Sequence, residues 1–495
     1  MKEIVVIGAG FSGLATACYL AKAGYSVTIV EKNAWVGGRA HRVTDKGFSF
    51  DFGPSWYWMP EVFEQFFTDF GKNVAEYYTL KRLSPSYRVV FNDEMIDLPT
   101  KRADQVALFE KLETGAGEKL SQFLKKTQRT YELAMRYFVP YPFRSLKDLL
   151  DPTLILAGIK LLLNYNGFQS AHRFYNHQFS SLKIRKLLEF PLFFLAGSPK
   201  AVPAVYSLMN HVDLNLGTWY PHTGFNAVID GMVKLATELG VTIHCNCEVQ
   251  SVTLRENQVT AVHTSDGRRF PVDVLVASGD YKFIETSLLP KKLQSYSSKY
   301  WDTLTLAPSA LLVHLGIRKK IPGLLHHTLF FHNDWDEGLK ELNETPNWPK
   351  KPLYYVSCPS KTDPTVAPKG QETLTILIPL SAGLPDSIKK REQLSSSIIA
   401  DLEDQLHTDI HSHIVIKKLY GISEFISDFH AHKGNAYGIA HTFKQTAMFR
   451  PQFQSKKVSN LFYTGQSTIP GIGVPICLLS GRIVSKEIQR RYGSY

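Results

Sequence analysis

A glycine-rich turn near the start of the chain constrains its fold more than any other feature. Residues 8–13 read Gly-Ala-Gly-Phe-Ser-Gly, and an apolar run of strand type, Ile4–Ile7, precedes them. A helical pattern, Leu14–Ala23, follows the turn, and a second strand pattern, Ser26–Val30, leads to Glu31. This order is typical of the βαβ unit of dinucleotide-binding domains. The sequence therefore predicts an α/β fold with a Rossmann-like sheet.

Each position of the turn has a physical role. Gly8 permits a tight turn, Gly10 lets a pyrophosphate approach the backbone, and Gly13 lets the helix pack closely on the strand. The N-terminus of the helix supplies unpaired N–H groups to the phosphates. Glu31 accepts hydrogen bonds from ribose hydroxyls, and its negative charge disfavours a 2′-phosphate, so NADP is not the expected dinucleotide.

Two further motifs indicate which dinucleotide is bound. Residues 36–40 read Val-Gly-Gly-Arg-Ala, and residues 51–54 read Asp-Phe-Gly-Pro. Arg39 follows two glycines, so its guanidinium can reach a diphosphate held by the first loop. Together these motifs resemble the flavin amine oxidase and carotenoid desaturase superfamily, whose members hold FAD. The chain has no second glycine fingerprint and no Cys-x₄-Cys pair, which favours a single flavin.

The resemblance also assigns two later segments to the cofactor site. It places backbone groups of residues 248–249 against adenine. Residues 460–466 read as a strand and a turn, and a helix that begins near Pro475 presents its positive N-terminus to the flavin. No metal site is predicted. The residues predicted to bind FAD are Gly8, Gly10, Phe11, Ser12, Gly13, Glu31, Lys32, Gly38, Arg39, Gly53, Pro54, Ser55, Val249, Gly465, Gln466, Gly473 and Val474.

The FAD motifs lie in separated parts of the chain, and their spacing predicts the domain organisation. We expect residues 1–80, 211–290 and 441–495 to form a discontinuous FAD-binding domain. Residues 81–210 and 291–440 are expected to form an inserted α+β region that binds the substrate and associates with a membrane.

Long segments outside the FAD motifs resemble the bacterial and fungal type of phytoene desaturase. The similarity includes residues 53–60, 217–221, 355–368 and 434–438, and it extends over nearly the whole chain. It implies FAD-dependent desaturation of phytoene, towards lycopene or a related polyene, by hydride transfer to the flavin while a neighbouring carbon loses a proton. A hydrocarbon offers no charged group, so a long apolar tunnel has to recognise it. The aromatic content of 12% suits that use.

The resemblance leaves several alternatives open. The substrate could instead be a thirty-carbon dehydrosqualene or a hydroxycarotenoid, and the reaction could be carotene cis–trans isomerisation. A remote alternative is a non-enzymatic escort module that binds isoprenoids. Close relatives tend to carry proline where this chain has Ile472 and Ile476, and this departure bears on the substrate and product rather than on the cofactor.

No catalytic residue is identified from the sequence. His222, His441 and Arg450 lie in or beside family-like motifs, and each is a candidate for the general base. However, a lone histidine is more often a packed or surface residue than a catalytic one.

The charge of the chain favours an anionic partner. The sequence has 56 Lys and Arg against 45 Asp and Glu, which gives a net charge of +11. The basic residues are scattered and no nucleic-acid-binding motif accompanies them, so a membrane surface is expected and a nucleic acid is not. The apolar segment Leu154–Leu163, interrupted by Lys160, suits a helix that lies on a membrane without crossing it.

The expected location follows from the same features. We predict a cytoplasmic protein that associates peripherally with the inner face of the cell membrane. No pyridine-nucleotide site is visible, so oxygen or a membrane quinone is the expected acceptor for the electrons of reduced FAD.

Overall fold

A parallel sheet organises one part of the molecule. The computed structural model describes residues 1–144, 146–165, 169–195, 198–332, 335–343 and 346–493. Five strands form this sheet in the order Leu461–Tyr463, Val274–Ala277, Glu3–Ile7, Ser26–Val30 and Thr242–His244. All of the neighbouring strands pair in parallel, so the sheet draws on three separated parts of the chain.

The strands of the parallel sheet form because their residues suit complete burial. Ile4, Val5 and Val6 are each almost entirely inaccessible to solvent. A parallel sheet is covered on both faces, so its strands carry continuous apolar runs of β-branched residues. The same physical requirement makes the first and second strands recognisable in the sequence.

A second and larger sheet is formed by the intervening parts of the chain. Its order is Ile414–Tyr420, Ser309–Ile317, Glu372–Leu380, Tyr354–Ser357, His327–Phe330, Tyr87–Val90 and Met95–Leu98. Neighbouring strands are antiparallel except for the parallel pair His327–Phe330 and Tyr87–Val90. Smaller sheets consist of Val249–Arg255, Gln258–Thr264 and Arg269–Pro271, of His41–Asp45 with Phe48–Phe52, and of Leu80–Arg82 with Trp219–Pro221.

Helices cover the sheets and fill the inserted region. The α-helices are Phe11–Lys22, Pro60–Thr68, Arg102–Leu112, Ala116–Leu133, Pro152–Asn164, Ala171–Gln178, Leu182–Glu189, Met209–His211, Asn226–Glu238, Tyr281–Phe283, Ser298–Thr303, Trp335–Asn343, Ile388–Leu406, Ile422–Phe429 and Val474–Tyr492. The first and last of these pack closely, because a Cβ added at Gly481 would lie 2.9 Å from Ala15 Cβ. This contact brings the two ends of the chain together beside the parallel sheet.

The predicted fold class is confirmed. The parallel sheet is assembled from discontinuous segments, and a mixed α+β region is inserted between them. The first helix begins at Phe11 rather than at Leu14, because the end of the glycine-rich turn already forms its first turn. The exact domain boundaries stay a prediction, and the predicted pieces include residues 145, 166–168, 196–197, 333–334, 344–345 and 494–495, which lie outside the described residues.

The segment predicted to lie on a membrane is helical. Leu154–Leu163 falls within the helix Pro152–Asn164. Nowhere in the described ranges does a helix combine the length and the hydropathy needed to traverse a bilayer.

Candidate active site: one cavity between the two sheets

One large cavity lies between the parallel sheet and the seven-stranded sheet. Its volume is about 1010 Å³, and its wall includes Ile7 and Val30 from one sheet and Leu329, Tyr355 and Leu377 from the other. All of the predicted cofactor residues except Gly13 line this cavity. The structure therefore brings together residues that are more than four hundred positions apart in the chain.

The glycine-rich turn forms one end of the cavity. Gly8 has a φ of +99°, a conformation that favours glycine, and Gly10 is the N-cap of the helix Phe11–Lys22. No side chain caps this helix, so its first N–H groups are available to an anion. Gly13 lies behind the turn, where an added Cβ would be 2.1 Å from the carbonyl oxygen of Gly8. Its function is close packing rather than contact with a ligand.

Glu31 stands at the end of the second strand and is almost fully buried. Its Oε2 accepts a hydrogen bond from Ala9 N at 2.8 Å, and its Oε1 accepts one from Asn33 N at 2.8 Å. Burial raises the pKa of Glu31, while these backbone hydrogen bonds oppose the increase. Each carboxylate oxygen retains a second acceptor position for a hydroxyl group.

Arg39 provides a buried positive charge in the cavity wall. Its guanidinium lies 5.1 Å from the centre of the Phe429 ring, and its Nε is buried without a hydrogen-bond partner in the described part of the chain. The side-chain amide of Gln466 is oriented with its oxygen towards Arg39. This oxygen accepts hydrogen bonds from Arg39 Nη1 at 3.1 Å and from Arg39 Nη2 at 3.3 Å. Burial lowers the pKa of Arg39. No carboxylate of the described residues forms an ion pair with this guanidinium, so an anionic ligand would supply the missing charge.

The C-terminal loop closes the same side of the cavity. Gly465 approaches the first helix so closely that an added Cβ would lie 2.8 Å from Ser12 Oγ. Gly473 has a φ of +112° and precedes the helix Val474–Tyr492, which has no side-chain cap. A second uncapped helix N-terminus therefore lies at the cavity wall. Ile472 and Ile476, which stand where close relatives tend to carry proline, both line the cavity.

The other side of the cavity is aromatic. The Trp58 and Phe194 rings are 4.7 Å apart, and the Trp56 ring lies 5.3 Å from that of Phe190. All four side chains line the cavity. This part of the wall offers dispersion contacts and excludes water, which suits a long apolar ligand.

The candidate bases from the sequence differ in their positions. His222 is half exposed and does not line the cavity; its Nε2 lies 3.7 Å from Asp363 Oδ1. His441 lines it, but both ring nitrogens are engaged: Nδ1 lies 3.0 Å from Tyr206 Oη, and Nε2 accepts a hydrogen bond from Ile472 N at 3.4 Å. Burial lowers the pKa of His441 well below its usual range.

Arg450 has a structural role. It is buried and donates hydrogen bonds to the backbone carbonyls of Ile439, Gln445, Gln466 and Thr468. Burial lowers the pKa of Arg450 to about 10. With its donors occupied by carbonyls, the guanidinium holds the C-terminal loop in place and is not a proton acceptor.

Three hydroxyl-bearing side chains of the cavity wall are not among the predicted site residues. Tyr206, Tyr355 and Thr446 line the cavity. They lie in segments that resemble the family, but the resemblance assigned them no function. In the described ranges no three His, Cys, Asp or Glu side chains are arranged to hold a metal ion, and all five cysteines are free.

The chain is similar to known flavoproteins along its length. The family model for flavin containing amine oxidoreductase matches residues 11–489. The carotenoid 3,4-desaturase of Haloarcula japonica is 41% identical over 491 residues, covering 98% of each chain. The zeta-carotene-forming phytoene desaturase of Myxococcus xanthus is 29% identical over 491 residues, covering 98% of this chain and 94% of that one.

A solved structure supports the fold. An oxidoreductase from Methanosarcina mazei superimposes with a TM-score of 0.61 at 17% identity, covering 98% of this chain and 100% of the other. At this identity the likeness bears on the fold alone. The family match and the 41% identical relative, together with the cavity, lead to one assignment. The chain belongs to the flavin containing amine oxidoreductase family, within its group of carotenoid desaturases.

Proposed function

We propose that this protein is an FAD-dependent desaturase that removes two hydrogens from neighbouring carbons of a carotenoid. One observation carries the proposal: the predicted dinucleotide-binding residues and the aromatic side chains line the same cavity. A dinucleotide site alone would fit many oxidoreductases. An aromatic chamber continuous with it selects a reaction in which an apolar substrate lies directly beside the cofactor.

The residues present fit FAD. The uncapped N-terminus of the helix Phe11–Lys22 and the unpaired Arg39 Nε suit the diphosphate. The uncapped N-terminus of the helix Val474–Tyr492 suits the flavin, and Glu31 suits the adenosine ribose. Bound FAD supplies the hydride acceptor of the reaction. The protein holds the carotenoid in register with that acceptor and excludes water from it.

The position of the new double bond can be argued from the relatives. The identity of 41% with a carotenoid 3,4-desaturase, against 29% with a phytoene desaturase, favours a bond near one end of a carotenoid that is already partly conjugated. Phytoene, a thirty-carbon precursor and a hydroxycarotenoid are the other substrates to be compared. The same cavity would hold each of them by apolar contact.

Product analysis tests the proposal. The chain should be produced in separate hosts that make only phytoene, only lycopene, only dehydrosqualene or only a hydroxylated carotene. We expect a longer chromophore and a mass lower by two hydrogens in at least one host. A change of isomer without a change of mass would support isomerisation. A purified protein that binds a carotenoid without flavin and without chemical change would support the escort module.

We also propose that the protein docks on a membrane, from which it takes its substrate. Leu150, Leu156, Ile159 and Leu163 are all exposed, with Leu163 74% accessible. Gly158 and Leu161 of the same helix line the cavity, so the apolar surface adjoins the cavity wall. An apolar patch of this kind suits the acyl region of a bilayer, and a membrane quinone or oxygen would accept the electrons.

A further inference from the structure

A polar network crosses the junction between the two halves of the cavity. Ser55 directly follows Gly53 and Pro54 and lines the cavity. Its Oγ lies 3.0 Å from Tyr355 Oη, which lies 2.6 Å from His327 Nδ1. The network therefore runs from the cavity wall, where the predicted cofactor residues meet the aromatic ones, to a histidine on the seven-stranded sheet.

His327 is held rigidly and is electrically neutral. Its ring stacks on the Trp56 indole with 4.1 Å between the ring centres and 12° between the planes. The side chain is fully buried, and burial together with the neighbouring His326 lowers the pKa of His327 well below its usual range. Its Nε2 has no hydrogen-bond partner in the described ranges. The polar contact of this imidazole with the cavity thus passes through Tyr355.

The reaction requires a proton acceptor, if the proposed function is correct. A carotenoid that gains a double bond is oxidised by two electrons, which leave one C–H bond as a hydride and reduce the flavin. The electron pair of the neighbouring C–H bond forms the new C=C bond, so a proton is left over. Because the conjugated chain carries the positive charge that follows hydride loss, this C–H group is strongly acidic and a neutral acceptor is sufficient.

We propose that Ser55 and Tyr355 accept this proton at the cavity wall and relay a proton to Nδ1 of His327. The proton binds to a hydroxyl oxygen, the hydroxyl hydrogen moves along the network, and the imidazole becomes protonated. Ser55 and Tyr355 act as catalytic residues in contact with the substrate, and His327 acts through Tyr355. The proton returns by the same route when water enters the cavity after product release.

The other histidine in the cavity wall is less suited to this step. Both nitrogens of His441 already take part in hydrogen bonds, to Tyr206 and to the backbone of Ile472. Protonation at Nε2 would break the contact with Ile472. A Tyr206→Phe variant tests the competing route, in which the proton passes through Tyr206 to His441.

Rapid mixing of holoenzyme with carotenoid in liposomes, without oxygen, tests the relay through the rate of flavin reduction. Hydride loss becomes irreversible only when the proton leaves, because the positively charged chain otherwise regains the hydride. We therefore expect Tyr355→Phe and His327→Gln each to slow net flavin reduction about 100-fold, with FAD content and the apparent Kd for the carotenoid unchanged. The wild type should react more slowly in D2O because a hydroxyl hydrogen moves, and Tyr355→Phe should lose this difference. A merely structural function of the network would leave the solvent isotope effect in place.

His314→Gln is the matched control. His314 is equally buried, stacks on Phe52 at 4.0 Å, contacts Thr375 Oγ1 at 3.0 Å and has an unpartnered Nε2. It does not line the cavity, so this variant should reduce flavin within about twofold of the wild type. If the core variants fail to fold, Ser55→Ala should slow reduction and Ser55→Thr, which retains a hydroxyl, should restore it.

Two outcomes overturn the relay. One is flavin reduction close to the wild-type rate in folded, FAD-loaded Tyr355→Phe and His327→Gln. The other is a large loss in Tyr206→Phe with none in Tyr355→Phe, which would assign the proton to His441. A wild-type protein that desaturates no carotenoid contradicts the proposed function itself, so the two failures are distinguishable.

Discussion

At the residue scale, a buried carboxyl group makes stability depend on pH. Asp213 is almost completely buried, and its Oδ2 accepts a hydrogen bond from Tyr87 Oη at 2.8 Å. Its Oδ1 has no partner among the described residues. Burial raises the pKa of Asp213 to about 7, and the Tyr87 hydrogen bond only partly opposes this. The folded protein therefore holds a proton on this group in a pH range where the unfolded chain has lost it.

Asp213→Asn is expected to become more stabilising as pH rises. Because the pKa of the folded state lies above that of the unfolded state, the wild type loses stability as pH increases through about 7. The amide has no charge to bury. The melting temperature of the variant should be close to that of the wild type at pH 5 and higher by several degrees at pH 9. A difference that stays constant over this range would contradict the assignment of the pKa.

At the scale of elements, two glycines of one turn have separate functions. An added Cβ at Gly10 would meet nothing within 4 Å, whereas one at Gly13 would lie 2.1 Å from the carbonyl oxygen of Gly8. Gly10 lines the cavity and Gly13 does not. The first position therefore leaves space for a ligand, and the second lets the helix Phe11–Lys22 approach the strand Glu3–Ile7.

Alanine at each position separates the two functions. Gly10→Ala should keep the melting temperature of the apoprotein but lower the affinity for FAD at least tenfold, or by about 1.4 kcal/mol, since the methyl group occupies the space of the diphosphate. Gly13→Ala should lower both the melting temperature of the apoprotein and the affinity for FAD, because the helix has to move away from the strand. Flavin absorbance per protein and melting of the apoprotein, followed by circular dichroism, measure the two effects. Normal FAD binding by Gly10→Ala would contradict the predicted position of the diphosphate.

At the scale of the whole molecule, some of the exposed apolar side chains belong to segments that line the cavity. Leu156, Ile159 and Leu163 project from the helix Pro152–Asn164. Phe443 and Phe449 are 40% and 59% accessible, and both also line the cavity. The proposed membrane surface therefore adjoins the cavity wall, to which Gly158 and Leu161 of the same helix belong.

Glutamate at Leu156, Ile159 and Leu163 should reduce sedimentation with acidic liposomes by at least about tenfold, because three apolar contacts are lost and three negative charges are added. Ile388→Glu with Ile426→Glu is the control, since these residues are also exposed but belong to other helices, none of whose exposed apolar residues is proposed to dock on the membrane. FAD content should stay normal in both variants. Equal loss of binding in both would indicate a general effect of charge and not a docking helix.

Local sequence patterns were sufficient to predict the first two strands of the parallel sheet and the turn and helix that join them. The strands Glu3–Ile7 and Ser26–Val30, the turn between them and the helix at Val474 all follow from short-range preferences of glycine, proline and β-branched residues. The seven-stranded sheet was not predictable in this way. Its parallel pair joins Tyr87–Val90 to a strand that begins at His327, and no local preference specifies such a distant partner.

The residues of the cavity wall likewise divide into those that short-range sequence patterns predicted and those that only the folded structure brings together. The sequence by itself indicated a dinucleotide, because the glycine-rich turn and the helix N-terminus that bind a diphosphate are consecutive in the chain, and the resemblance of residues 36–40 and 51–54 to a flavoprotein superfamily specified FAD. Only the tertiary structure decided which hydroxyl groups lie at the cavity wall and which imidazole lies behind them. Ser55 and Tyr355 are separated by 300 positions and are joined because the turn after Pro54 packs against the strand Tyr354–Ser357. Hydrogen bonds act over about 3 Å whatever the distance along the chain, so contacts of this kind are set by the folded structure.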